Sequence, residues 1–307
     1  MARRRRRRRP DASAGRLPAT AFVKPPPTVS DATARRAYWT EQLEAARDFM
    51  LRAALQPVAE CGEPMVDLPE AARDAGVRVT FSHRPHVLGL PRVHRLRAGL
   101  VPGFLAAAAA MNRRGWILHV EDGYRTREMQ RHLARHPAVF DAILRTLRWE
   151  LGGGRPTPEF VLRRSMALVA LRPKVGTHMS ASAIDLSVFR ADDGREVDRG
   201  APYLEMSELT PMDSPFVSPE ARRNRREITA LMREHGFFEY PYEFWHYNAG
   251  DVYEAVLRGS PAPARYAAVD WDPAGNRISP IADPDEPLNS AADLGAEIER
   301  ALERLSK

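Results

Sequence analysis

Two stretches of this 307-residue chain set a histidine near a carboxylate: GTHMSASAID at 176–185 and EFWHYN at 243–248. They supply His178 and Asp185, then Glu243 and His246, in a chain with nine histidines. A catalytic zinc centre needs three protein ligands of nitrogen or oxygen type and an open position for water. Two histidines and an aspartate meet that need. A further carboxylate outside the ligand set then takes the proton of the water, and Glu243, three residues before His246, is the candidate. Either histidine alone also fits a strand histidine satisfied by hydrogen bonds in a core. Other hydrolytic signatures are absent: there is no HExxH and no GxSxG, and Cys61, the single cysteine, has no histidine near it in sequence. One thiol excludes an intrachain disulfide framework and a cysteine-rich zinc site.

Spacing constrains the elements that hold these groups. Along a regular strand His178 and Asp185 would face opposite ways, so a turn or bulge must intervene, and Ser180-Ala181-Ser182-Ala183 permits one. Glu243 and His246 need a bulge or loop to converge. Ile184, Leu186 and Val188 alternate with Asp185 and Ser187, which predicts a strand with Asp185 pointing away from the apolar layer. VRVTFS (77–82) and WILHVEDGYR (116–125) read as strands, the second running into a polar turn, and FFEYPYEFWHY as an aromatic strand. Helices are expected from a Ser30/Asp31 cap toward Leu55, over 100–115 ending at Gly115, over 126–149 with a break at Pro137, over 218–236, and in the terminal DLGAEIERALERLSK. AECGEPMVDLPEAA (59–72) reads as loop. GGGRPTP (152–158) lacks the Lys-Ser/Thr of a phosphate cradle and reads as a flexible connection. Strands and helices do not alternate regularly, so the expected class is α+β, with a mainly antiparallel central sheet flanked by helices.

The net charge of +6 belongs to the amino terminus: residues 1–30 carry +8, with Arg3 to Arg9 in one run, and the remainder carries −2. Such a run repels itself and stays solvated, so 1–30 is expected to be a disordered leader with nonspecific polyanion binding. No aromatic residue is interleaved with it for base stacking. Neither an apolar signal core nor a membrane-length apolar segment is present, which points to the cytoplasm. With 44% hydrophobic residues and proline clusters at both ends, the expectation is a catalytic domain at 31–270 and a proline-rich tail with an amphipathic helix at 271–307.

HMSASAID followed by EFWH resembles the H-x-x-G-x-A-x-D and E-x-x-H pair of the zinc D-alanyl-D-alanine dipeptidases (VanX type), relatives of the D-Ala-D-Ala carboxypeptidases and the Hedgehog amino-terminal domain. The resemblance extends in order through ECGEP (60–64), DGYR (122–125), SPEARRNR (218–225) and HGFFEYPYEFWHYNAGD (235–251), covering about residues 35–270. It implies one Zn2+ per chain held by His178, Asp185 and His246, with Glu243 as general base. It implies that Arg125 stabilises the oxyanion, that Asp122 holds Arg125, and that Glu205 of LEMSE (204–208) grips the free amino group of a small dipeptide substrate. The pattern departs at Ala181, where the family has glycine, at Gly176, where it has serine, and in LEMSE, which replaces LDMGT. The implied activity is dipeptide hydrolysis. A carboxypeptidase acting on larger peptidoglycan peptides and a non-catalytic zinc-containing binding protein are the alternatives.

Overall fold

The computed structural model describes residues 32–305. The basic leader, its polyanion binding and the Ser30/Asp31 cap lie outside the described residues. Five strands form the central sheet in the order Val79–Phe81, Trp116–Asp122, Ala183–Arg190, His246–Asn248 and Phe238–Glu239. The first pair is parallel and the other three are antiparallel, giving the α+β class with a mainly antiparallel sheet. Alternation along the strands separates two chemistries. Leu118, Val120, Ile184, Leu186 and Val188 are fully buried on one face, where Phe104 and Met111 of helix Val101–Arg113 and Ile228 and Met232 of helix Pro219–Glu234 pack on them. Asp185 points to the other face.

Several connections differ from expectation. The stretch read as loop at 59–72 holds strand Met65–Asp67 and the start of helix Leu68–Asp74. Asp67 caps that helix by accepting from Glu70 N, and Pro69 sits in the first turn, where its missing N–H has no intrahelical partner to lose. The aromatic stretch is not one strand. Phe238–Glu239 and His246–Asn248 pair antiparallel across a turn at 240–245, where Glu243 N donates to Tyr240 O and His246 N to Glu243 O. Helix Pro158–Leu168, capped by Thr157, carries no expectation from the sequence. The break at Pro137 is observed, between helices Arg127–Leu133 and Pro137–Glu150.

The boundary set at residue 270 falls inside strand Val269–Asp272, which pairs with Arg277–Pro280. Beyond it, helix Ala291–Leu305 packs Leu294, Ile298, Ala301 and Leu302 on Phe140, Ile143, Leu144 and Leu147, sharing a core with the preceding chain. Among the described residues no helix is long and apolar enough to cross a membrane.

Arg97, fully buried, ties three segments to the turn that carries His178. Its backbone N donates to Ala181 O at 2.9 Å and its Nε to Ser180 O at 2.7 Å, while Nη1 and Nη2 meet Glu60 Oε1 and Oε2 at 2.9 and 3.0 Å. Nη1 and Nη2 also donate to the carbonyls of Glu63 and Ala267. Arg97→Met removes every side-chain donor and leaves Glu60 facing no cation, so it should cost about 3–5 kcal/mol in denaturant unfolding. Adding Glu60→Gln should recover part of the loss; a single-variant cost under about 1 kcal/mol would show that the network does not anchor the turn.

Candidate active site

The sheet register lines up three candidate residues. Asp185 lies opposite His246 on one side and Asp122 on the other, so one transverse row crosses three neighbouring strands. Asp122 reaches that row through a bulge. Val120 pairs with Leu186 on the apolar face, and a regular ladder would next set Glu121 against Asp185. The register shift between Val120 and Asp122 puts Asp122 there instead and turns it to the polar face. His178 arrives from a 3-10 turn, Thr177–Ser180, closed by Ala181 at φ 52 and ψ 33. This left-handed position suits glycine, whose missing Cβ removes the clash, and here an alanine occupies it. Behind the turn, Ser182 Oγ donates to Asp251 Oδ2 at 2.6 Å, and Asp251 also caps helix Val252–Arg258.

His178, Asp185 and His246 are all buried, and one ligand atom from each lies within 4.8 Å of the others. His178 Nδ1 is 2.7 Å from Gly123 O, and a carbonyl only accepts, so the proton sits on Nδ1. In the neutral ring Nε2 is then a lone pair, 3.2 Å from Asp185 Oδ1. His246 holds Thr177 Oγ1 with Nε2 at 3.1 Å and turns Nδ1 toward the same Oδ1, also at 3.1 Å. The lone pair of His178 and Asp185 Oδ1 face each other as acceptors, and such a pair needs a proton or a cation between them. Two imidazole nitrogens and one carboxylate oxygen, each oriented by a partner on its far side, are a donor set that could hold a metal ion. Gly123 permits this packing: a Cβ there would lie 2.7 Å from Val93 O.

Arg125 bridges the two aspartates. Its Nε donates to Asp122 Oδ2 at 2.7 Å and its Nη2 to Asp185 Oδ2 at 3.2 Å. Burial would raise the Asp122 carboxyl, but Arg125, His86 and Arg92 outweigh it and hold the group well below the usual range. Burial likewise opposes the low position of Asp185, which the two imidazoles set against Oδ1 impose. Glu243 behaves differently. Burial pushes it from 4.5 to about 7, with His246 pulling down and Asp185 pushing up. Its side chain keeps 25% of its surface open, and its Oε2 lies 4.0 Å from His246 Nδ1. A carboxylate beside a cluster of nitrogen and oxygen ligands, with a value near neutrality, suits proton transfer.

All these groups line one cavity of about 710 Å3. Glu205 is half-buried on its wall, and its carboxylate has no hydrogen-bond or ion-pair partner among the described residues. The structure does not bring Glu205 onto the His178/Asp185/His246 cluster. Sequence reasoning missed Tyr203, whose hydroxyl donates to Asp185 Oδ2 at 2.8 Å, and Thr177, the partner of His246. It also missed Arg92 and His86, which approach Asp122 at 3.0 and 3.5 Å. Tyr203 belongs to no strand or helix, and no spacing distinguishes it from the other tyrosines.

Residues 92–262, more than half of the chain, match the family model described as D-ala-D-ala dipeptidase. The chain belongs to that family of M15 peptidases. His178, Asp185, His246, Glu243, Arg125, Asp122 and Glu205 all fall inside the family match. The D-alanyl-D-alanine dipeptidase of Enterococcus faecium is 34% identical over 90 residues, 29% of this chain and 41% of that one. That of Escherichia coli (strain K12) is 33% identical over 92 residues, 30% and 43%. The matched stretch therefore spans about two fifths of these relatives' length. Among solved structures, a zinc complex of the vancomycin resistance D,D-pentapeptidase VanY aligns at TM-score 0.32 and 15% identity, over 68% of this chain and 94% of that one. The LdcB LD-carboxypeptidase aligns at 0.34 and 16%, over 66% and 78%.

The raised value of Glu243 has a defined sign in stability. The folded chain keeps a proton that the unfolded chain releases near 4.5, so this group's contribution to stability falls as pH rises through about 7. In chelator-treated protein, Glu243→Gln should therefore be more stable than the parent at pH 8, by on the order of 2–3 kcal/mol. The gain should shrink steadily toward pH 4.5. A gain that stays constant across that range would mean the carboxyl is not shifted by burial.

Proposed function

We propose that this protein is a cytoplasmic zinc dipeptidase that hydrolyses small free dipeptides of the D-alanyl-D-alanine type. The observation that carries the reading is the row of Asp122, Asp185 and His246, completed by His178, with Glu243 and Arg125 at its edge. His178 Nε2, His246 Nδ1 and one oxygen of Asp185 would hold one Zn2+. When bound, such an ion lowers the pKa of a water toward about 7 and draws charge from a carbonyl oxygen.

The chain's own residues do the remainder. Glu243 accepts the proton of the attacking water at Oε2 and later delivers it to the leaving amine, which a carboxylate poised near neutrality can do in both directions. Arg125 is fixed by Asp122 and Asp185 on two of its nitrogens, so its charge is already aimed when the carbonyl becomes tetrahedral. Tyr203 shares Oδ2 of Asp185 with Arg125 and leaves Oδ1 to the two histidines. The unpartnered carboxylate of Glu205 takes the substrate's free amino group. A non-catalytic binding protein would have no use for a half-buried carboxylate such as Glu243 beside the ligand cluster.

Glu243→Gln should retain about one zinc per chain by elemental analysis and lose activity by at least about 10²-fold. His178→Ala, Asp185→Ala and His246→Ala should each lose the metal; full occupancy in all three would refute the ligand assignment. Free D-Ala-D-Ala should be cleaved at least about a hundredfold better than its N-acetyl form or a tripeptide, because a blocked amine leaves Glu205 unpaired. Equal kcat/KM for free and acetylated substrate would replace the dipeptidase with a carboxypeptidase.

A further inference from the structure

The cavity is much larger than the dipeptide that the family name suggests. Two joined alanines occupy on the order of 150–200 Å3, whereas the cavity of about 710 Å3 falls within the range of sites that enclose drug-sized ligands. Most of its lining is apolar, with Gln42 and His136 among the exceptions. Trp39, Leu43 and Met50 form one wall from helix Ala32–Leu55, and Val139, Leu168 and Val169 face the same space. The helix that bears Trp39, Leu43 and Met50 lies outside residues 92–262, the range matched to the family model.

The position of the lobe relative to the polar groups assigns it an occupant. Glu205, the carboxylate without a partner, is followed directly by Met206. Met206, Val139 and Leu168 pack against one shared buried cluster, and Leu168 also packs against the cluster of Trp39 and Leu43. The anchor for an amino group thus sits next to the apolar wall. A second cation, Arg92, meets Asp122 beside Arg125 and His86, and it suits the carboxylate end of a peptide.

We infer that the apolar lobe receives the side chain of the substrate's amino-terminal residue, and that the preferred substrate is a free dipeptide whose first residue is large and apolar. This rests on the dipeptidase reading above. Filling the lobe with a leucine or phenylalanine side chain removes apolar surface from water that an alanine leaves exposed, which raises kcat/KM by roughly 10- to 100-fold. The carboxy-terminal residue gains less, because the lining beside His86 and Arg92 is Pro85, Val87 and Gly89, smaller apolar groups than Trp39, Leu43 and Met50.

The test compares zinc-loaded enzyme on D-Ala-D-Ala, D-Leu-D-Ala, D-Phe-D-Ala and D-Ala-D-Phe, with binding to Glu243→Gln protein followed by calorimetry. D-Leu-D-Ala or D-Phe-D-Ala should exceed both other dipeptides by about tenfold or more in kcat/KM and in affinity. Ala46→Phe narrows the lobe from the helix Ala32–Leu55 side, and Ala142→Leu does so from helix Pro137–Glu150, at a position that is only half-buried. Either folded variant should lower the ratio of D-Phe-D-Ala to D-Ala-D-Ala turnover at least fivefold. Cleavage of D-Ala-D-Ala as efficient as that of the bulky dipeptides, with the ratio unmoved in both variants, overturns the lobe assignment and leaves the dipeptidase reading standing. Hydrolysis of none of the four overturns both.

Discussion

The buried carboxylate of Asp185 meets donors on one oxygen and the lone pair of His178 on the other, and the site is arranged around that conflict. Oδ2 accepts from Arg125 and Tyr203, while Oδ1 faces a nitrogen of each histidine, one of them a lone pair in the neutral ring. A carboxylate this buried is costly unless its charge is met. Arg125 meets it from one side, but Arg125 is shared with Asp122, so the pair of aspartates exceeds the one cation between them. Arg92 supplies a second positive charge at Asp122, away from the histidines. The deficit left at Oδ1 is the electrostatic reason a divalent cation suits this point.

Much of the site was legible because the chemistry-bearing residues are local in sequence. The need for a turn between His178 and Asp185 follows from strand period alone, and the turn is present, with Ala181 in the left-handed region. The alternation of Ile184, Leu186 and Val188 put Asp185 on the polar face, where it lies. Helix limits at Pro137, Gly115 and Ser218 follow from capping and proline chemistry that acts within one turn.

What was not legible depends on tertiary placement. Tyr203 reaches Asp185 from irregular chain, and no periodicity encodes such a contact. The loop expected at 59–72 conceals a short helix, because proline counts as a breaker until its place in the first turn is known. The aromatic stretch 237–247 has strand composition throughout, yet the turn at 240–245 is what allows Glu243 and His246 to share one site. The wall of helix Ala32–Leu55 carries no motif at all; only the fold shows that Trp39 and Leu43 border the cavity.

The bulge before Asp122 shows why core and site cannot be optimised separately. Leu118 and Val120 must stay on the apolar face, where they are fully buried beside Leu186 and Val188. Strict alternation would then carry Asp122 into the same layer, at the cost of a charge among aliphatic side chains. One extra residue resolves the clash: Glu121 leaves the regular pairing and Asp122 turns to Arg125. Glu121 in turn accepts from Ser187 Oγ at 2.8 Å, so the displaced carboxylate has a partner. A strand with an unbroken period could keep the core or place the arginine's anchor, but not both, and the break sits at the point where the two demands meet.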